Sequence, residues 1–546
     1  MSQTQKQLTQ KDQMLRGTFW STISDFISRL LGALYIIPWY YWMGQFANEA
    51  NALFSMGYNI YATILLFSTS GINVALSKQI ARYSVQNQTE TIAALINGFL
   101  KLMVVSGLFF STLMYFTSPL LSEGMGLGHD LVPILHSLCL SVLVFPAMST
   151  IRGIFQGYAN LKPNALSQIW EQIIRVIWML LTTYMIMQVG NGDYKVAVMQ
   201  STLAAFIGMV ASVIVLLYFL KKEGLFHLLK KPKSSTLEID VTSLVIETFK
   251  EAIPFIIIGS AIQAYQLIDQ MTYIRVMESV TNFDVKRLMV LYSYMSANPN
   301  KIVMILISIV NSIGGISIPL LTANFLKKDH EASASLLQHN IKLMNLFIIP
   351  ALTGALLLSN ELYTIFYSQP ESIALQLFNH ALIQTLFLSV YGLLSPTLLA
   401  FFEGKRAISY FLIGFIVKLI LQIPFIYLFH SNGPLVATSL ATLTAIILMY
   451  RRIHQLVGLD QSLLIKHLIQ VLFATILMGT LVFLGRIGLD LFLIGTGKLT
   501  MLIKLVLLSG IGVLTYGYLT LRSQILDDIL GTKANSLRRK FNITPK

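Results

Sequence analysis

Apolar residues along this chain gather into stretches of about 20 between short polar breaks, the length an α-helix needs to cross about 30 Å of hydrocarbon. These windows predict about fourteen helices, near 19–42, 52–75, 91–118, 131–151, 166–188, 196–220, 252–274, 288–325, 341–359, 376–401, 408–429, 434–450, 468–485 and 499–521. The eighth is too long for one straight span, and Asn298-Pro299-Asn300 predicts a polar or kinked start to it. Composition agrees with this pattern. Of 546 residues, 55% are hydrophobic and 12% charged, half the charge (about 25%) that a soluble domain carries. The expected class is an all-α polytopic membrane protein. Residues Met1 to Arg16 are polar and no small-residue cleavage site follows the first apolar stretch, so that span is expected to be retained rather than removed. A single cysteine, Cys139, excludes disulfides and cysteine-rich metal sites.

Charge changes the picture through its position. The formal net charge is +14. When alternate loops are assigned to opposite sides, 28 Lys and Arg fall on the side holding both termini and six on the other: Lys195, Arg275, Lys286, Arg287, Arg486 and Lys498. Cytoplasmic loops carry the excess of Lys and Arg, so both termini are expected in the cytoplasm. The basicity is then a topology signal, with anionic-lipid binding second and nucleic acid excluded. The outer loops are all short, which leaves no folded domain for glycan-polymerising chemistry.

A repeat divides the chain. Ser70-Gly71-Ile72-Asn73-Val74-Ala75-Leu76 and Gly314-Gly315-Ile316-Ser317-Ile318-Pro319-Leu320 end the second and eighth spans. Phe155-Gln156-Gly157 and Phe402-Glu403-Gly404 end the fourth and tenth. The offsets nearly agree, as a duplicated six-helix unit requires. The expected organisation is a cytoplasmic segment 1–18, an N-lobe 19–220, a basic linker 221–248, a C-lobe 249–450, two further helices 451–521 and a basic tail 522–546. Gly71, Gly157, Gly315 and Pro319 are candidate helix breaks or gates. Paired lobes are a recurring transporter plan, with substrate handled at the repeat interface.

Charges inside spans cost several kcal/mol unless they face protein or water, which makes them functional candidates. Asp25 and Arg29 form an i,i+4 pair in the first span, and Glu171 and Arg175 another in the fifth. Asp269, Lys301 and Lys418 lie in the seventh, eighth and eleventh. Aligned on Gly157 and Gly404, Arg175 and Lys418 take related positions in the two lobes, so one cation from each would form a central anion site. Either i,i+4 pair would equally neutralise itself locally. Lys504 in the last span is expected to snorkel. Lys78, Arg82 and Arg152, at cytoplasmic helix ends, are candidates for recruiting an anionic headgroup. Gly495-Thr496-Gly497-Lys498-Leu499-Thr500 fails as a phosphate loop, because Leu499 stands at its Ser/Thr position. Neither paired histidine metal spacing nor a nucleophile elbow occurs. No enzyme is indicated.

Four stretches carry a resemblance. Ile27-Ser28-Arg29-Leu30-Leu31-Gly32 resembles the first helix of the MurJ-type lipid II flippases. The run from Ser70 through Lys78, Gln79 and Arg82 to Tyr83 looks like the second-helix signature of their SpoVB/YtgP branch. The most specific is Arg152-Gly153-Ile154-Phe155-Gln156-Gly157, continuing through Pro163 to Ser167-Gln168, Glu171-Gln172 and Arg175. Ala252-Ile253-Pro254 is also similar. This likeness covers nearly the whole chain. It implies the multidrug/oligosaccharidyl-lipid/polysaccharide exporter superfamily, a bacterial plasma-membrane location, two six-helix lobes plus two helices, and Arg29 as a cavity cation. The chain departs from the pattern ahead of the eighth span, where Asn298 stands in place of an arginine and Lys301 follows one turn later.

The expected function is flipping of an undecaprenyl-diphosphate-linked saccharide, lipid II first, from inner to outer leaflet by alternating access around a cationic cavity. The expected partners are that lipid, membrane lipids and cell-wall synthesis machinery. No cofactor is expected, and the drive would come from Na+, H+ or the membrane potential. Capsule or teichoic-acid precursors are the alternative substrates. A cation-coupled multidrug antiporter is the alternative transporter, and a membrane polymerase the alternative enzyme.

Overall fold

The computed structural model describes residues 20, 23–24, 26–69, 72–86, 88–229, 243, 253–254, 256–527 and 531–544. Asp25 and Gly71 lie outside them, as does most of the linker expected at 221–248. Among the described residues there are helices and turns and no strand. Eleven helical stretches are long and apolar enough to span a membrane. Two of these are longer than one crossing needs and are interrupted by a 3-10 turn. Phe26–Thr69 has 44 residues and Gly404–Val457 has 54, against the roughly 20 that one crossing needs. The turns lie at Gly44–Phe46 and at His430–Asn432. The seventh expected span, 252–274, begins at residues outside the description.

By internal packing the chain divides into two compact units, Met1–Arg275 and Val276–Lys546. In the first, helical residues 26–34 lead into α1 (Ile36–Met43), α2 (Ala47–Thr69), α3 (Ile72–Val85), α4 (Thr89–Gly124), α5 (Val132–Gly157), α6 (Lys162–Tyr184) and α7 (Tyr194–Lys222). Helix α8 (Ala261–Val280) carries the border between the units. The second unit continues with α9 (Val285–Tyr292), α10 (Asn298–Leu326), α11 (His330–Leu357), α12 (Ser359–Phe366) and α13 (Ser372–Ala400). It ends with α14 (Gly404–Phe429), α15 (Gly433–Val457), α16 (Gln461–Phe492), α17 (Lys498–Arg522) and α18 (Thr532–Lys540).

Local chemistry explains where the helices start. Asp193, Asp329 and Asp460 cap α7, α11 and α16, each carboxylate accepting backbone N–H groups of the first turn. Pro133, Pro163 and Pro434 sit in the first turns of α5, α6 and α15, where a missing N–H costs nothing. The kink expected near Pro299 appears as a π-helical turn, Ser293–Ala297, directly ahead of α10. Proline cannot donate the i→i−4 bond, and a wider turn absorbs that loss.

Inside the first unit the helices meet through small and hydroxyl side chains, the surfaces that let backbones approach closely in lipid. Ser137 on α5 bonds Thr202 on α7 at 2.7 Å, and Trp39 Nε1 donates to Ser201 at 3.0 Å. A Cβ on Gly157 would stand 2.7 Å from Ile80 Cβ, so this glycine is where α3 crosses the end of α5. Outward faces carry Phe116, Leu120, Phe473, Ile476 and Leu514 as exposed side chains. An exposed apolar surface of that kind requires lipid rather than water. The chain is a multi-pass integral membrane protein.

The start of the expected linker folds back on the first unit. Leu228, in the 3-10 turn Leu225–Leu229, is buried, and its carbonyl accepts from Asn97 on α4 at 3.1 Å. The tail contains α18, and Arg538 ties that helix to α17. Its Nε donates to the Leu521 carbonyl at 2.8 Å and its guanidinium pairs with Asp527.

Candidate functional site

One face of α6 carries Gln168, Glu171, Gln172 and Arg175, at helical spacings of three and four. Helices α2, α5 and α7 converge on that face. Arg152, near the end of α5, places Nη2 2.8 Å from Glu171 Oε2, while Arg175 places Nη2 2.8 Å from Oε1. Each carboxylate oxygen therefore holds one guanidinium. Arg152 also donates to Ser167 (3.2 Å) and to Ser212 of α7 (2.8 Å). Arg175 Nη1 donates to the Tyr58 hydroxyl of α2 at 3.0 Å. The cluster is mostly enclosed, with side-chain exposures of 11% for Arg152, 13% for Glu171 and 17% for Arg175. It carries one net positive charge.

Close helix contact sets this geometry. A Cβ on Gly208 of α7 would stand 2.6 Å from the Glu171 carbonyl oxygen and 3.2 Å from Arg175 Cβ. The missing side chain lets α7 lie directly behind the ion pair and bring Ser212 to Arg152. Tyr58 stacks on Phe54 (5.2 Å between centroids) and meets Tyr61 edge-on at 5.2 Å, forming an aromatic wall beside Arg175.

The helical residues 26–34 run along the same face. Ser24 Oγ donates to Gln168 at 2.8 Å, and a Cβ on Gly32 would sit 3.6 Å from Gln172 Nε2. Arg29 lies between these two contacts. It is exposed, and among the described residues its guanidinium has no hydrogen-bond or ion-pair partner. Lys78 and Arg82 are exposed on α3, with the Arg82 guanidinium 5.8 Å from the Tyr83 ring centroid.

Arg152, expected as a separate headgroup contact at a helix end, is thus joined to the Glu171–Arg175 pair. Periodicity within one helix cannot reveal a partner 19 positions away on another. Tyr58 and Ser212 were missed for the same reason.

The remaining candidates have different surroundings. Asp269 is buried on α8. Its neighbour Gln270 bonds Asn59 at 3.3 Å and the Met56 carbonyl at 2.9 Å. In the second unit, Lys301 is half-buried in the first turn of α10. Beside it, Asn298 is fully buried, donating to the Tyr363 hydroxyl at 2.7 Å and accepting from Ser293 at 2.9 Å. Its carbonyl accepts from Tyr367 at 2.5 Å. Lys418 is wholly enclosed, and its Nζ donates to the Pro434 carbonyl (2.9 Å) and Thr438 Oγ1 (2.7 Å). These bonds staple α14 to α15. Helix α10 passes through Gly315 and Pro319 without interruption, so its irregular turn lies upstream, at Ser293–Ala297.

Lys504 does not snorkel. It is buried and pairs with Asp490 at 2.5 Å. Arg486 joins this group by reaching Glu361 at 3.3 Å and donating to the Leu357 carbonyl at 2.8 Å. Helices α10, α11, α12, α16 and α17 line an open apolar cavity of ≈ 570 Å³, with residues including Leu306, Gly354, Met478, Leu508, Gly512 and Tyr516.

The family profile described as "Polysaccharide biosynthesis protein" matches residues 14–325. The chain is 30% identical over 546 residues to the lipid II flippase MurJ of Bacillus subtilis (strain 168), covering 96% of this chain and 98% of that protein. A solved lipid II flippase MurJ, in an inward closed conformation, superposes with a TM-score of 0.64 at 16% identity, covering 94% of this chain and 100% of the other. An inward-facing multidrug resistance MATE family transporter of the MOP superfamily gives 0.61 at 14% identity, covering 78% and 95%. At such identities the superpositions show a shared fold. The match over more than half of the chain and the full-length relative place this chain in the polysaccharide biosynthesis family of membrane proteins that includes Bacillus subtilis MurJ.

Proposed function

We propose that this protein is a flippase that moves a lipid-linked saccharide of the undecaprenyl-diphosphate type, lipid II first, from the inner to the outer leaflet of the bacterial plasma membrane. The observation that carries this reading is the net-positive Arg152–Glu171–Arg175 cluster, with exposed Arg29 on the adjoining helix. A diphosphate entering hydrocarbon loses its hydration at a cost of many kcal/mol. Guanidinium forks replace that hydration, because their paired N–H donors match phosphate oxygens. Full-length similarity to a lipid II flippase points to the same substrate class.

The substrate's two ends need different surroundings. Arg29, Arg152 and Arg175, all in the first unit, take the diphosphate. Lys78 and Arg82 recruit the headgroup at the membrane face. The apolar cavity beside α16 and α17 suits an isoprenoid tail, since its walls are almost entirely hydrocarbon and glycine. Alternating exposure of the cations to the two sides completes the transfer. The inside-negative potential favours an outgoing anion by about 2.3 kcal/mol per charge per 100 mV.

Reconstitution in vesicles tests this. The purified chain should expose labelled lipid II to an outside reagent faster than empty vesicles do. Transfer of a teichoic-acid or capsule precursor without lipid II would move the substrate to that alternative. Cationic-dye export without either would favour the antiporter, although paired guanidiniums are a poor place for an organic cation.

A further inference from the structure

The two arginines of the cluster are held by a carboxylate that leaves much of their binding capacity unused. Glu171 engages Nη2 of each and neither fork bidentately. Arg175 Nε is buried and has no hydrogen-bond partner, although a guanidinium offers five donors in a fixed plane. A carboxylate and one face of a phosphate present the same acceptor geometry, two oxygens on one centre. The backbone behind Glu171 is clamped by Gly208 of α7, so exchange at this position falls to the side chain.

We infer that Glu171 is a built-in stand-in for substrate phosphate: it occupies Arg152 and Arg175 in the empty protein, swings off as the diphosphate binds, and returns to displace it. This rests on the flippase reading and assigns one residue a specific task within it. A carrier must bind its cargo tightly enough to load and loosely enough to release. Two desolvated guanidiniums alone would hold a diphosphate too firmly. A tethered carboxylate competes for both at once, at the high local concentration of a group fixed in the same protein. Glu171 is therefore a positioning and release residue, and Arg152 and Arg175 are the contacts it governs.

The test uses the full chain in detergent with inorganic diphosphate as probe and sulfate as control. Glu171→Gln should bind diphosphate at least about tenfold more tightly than the wild type. Its melting temperature should rise further on adding diphosphate, because the anion replaces the missing carboxylate. In vesicles the same variant should load a polyprenyl-diphosphate lipid and release it more slowly. If the glutamine variant does not fold, Glu171→Asp, which withdraws the carboxylate by one methylene, should show a smaller gain in the same direction. An affinity for diphosphate that stays level or falls in the variant that folds overturns the exchange and leaves Glu171 as a structural brace. The two ideas fail separately. Wild-type vesicles that move no polyprenyl-diphosphate lipid remove the flippase reading, whereas active wild type with no gain in the variants removes only the role of Glu171.

Discussion

Arg152 and Arg175 stand on different helices, yet each donates Nη2 to a different oxygen of Glu171, both at 2.8 Å. Two cations this close in apolar surroundings need a shared anion, and removing one member of such a buried set costs about 3–5 kcal/mol. The contrast with Arg29, exposed on the adjoining helix, separates structural effects from functional ones.

Arg29→Ala should abolish lipid flipping while leaving insertion and stability within about 0.5 kcal/mol of the wild type, as expected for an exposed side chain without a described partner. Paired vesicle-flipping and detergent-melting measurements check this. Full flipping activity in the alanine variant would remove Arg29 from the mechanism.

Lys418→Met should behave in the opposite way. It leaves the Pro434 carbonyl and Thr438 hydroxyl without their ammonium, and stability should fall by about 1–3 kcal/mol. Thr438→Val should give part of that loss. A melting temperature equal to the wild type, together with lost transport, would instead make Lys418 a substrate contact.

Gly354→Phe probes the apolar cavity. Glycine 354 lines it, and a Cβ there meets nothing within 4 Å, so the ring can enter without moving the backbone. Transport of a long-chain polyprenyl substrate should drop several-fold more than that of a short-chain analogue. Equal losses for both lengths would detach the cavity from the tail.

Outside the spans, Glu371 accepts from both Nη groups of Arg287, at 3.0 and 2.7 Å, and that guanidinium holds its carboxyl below the usual carboxylate range. A carboxylate depressed on folding contributes stability in full above its unfolded pKa, about 4.3. That contribution disappears as pH falls through the folded value. The pair is exposed, so Glu371→Gln should cost about 0–1 kcal/mol at pH 7. Melting curves of variant and wild type should converge in acid. A difference that widens as pH falls would contradict the sign.

Family membership was legible in short motifs. The profile match over residues 14–325 contains 27–32, 70–83 and the whole run 152–175. The cation cluster was only half legible: Glu171 and Arg175 share one helix face and could be paired by spacing, but Arg152 looked like a separate contact at a helix end. Lys504 looked free to reach water because nothing in its own helix pairs with it. Its partner Asp490 comes from α16.

The sequence alone determined the solvent and the secondary structure, because in lipid each helix must satisfy its own backbone hydrogen bonds. That requirement is local and shows as long apolar stretches with caps and prolines at their starts. Tertiary structure alone decided which charges meet. The rotation of each helix, and the glycines that let two of them touch, set whether a buried cation faces a carboxylate, a carbonyl or open space. No periodicity within a single stretch records those choices.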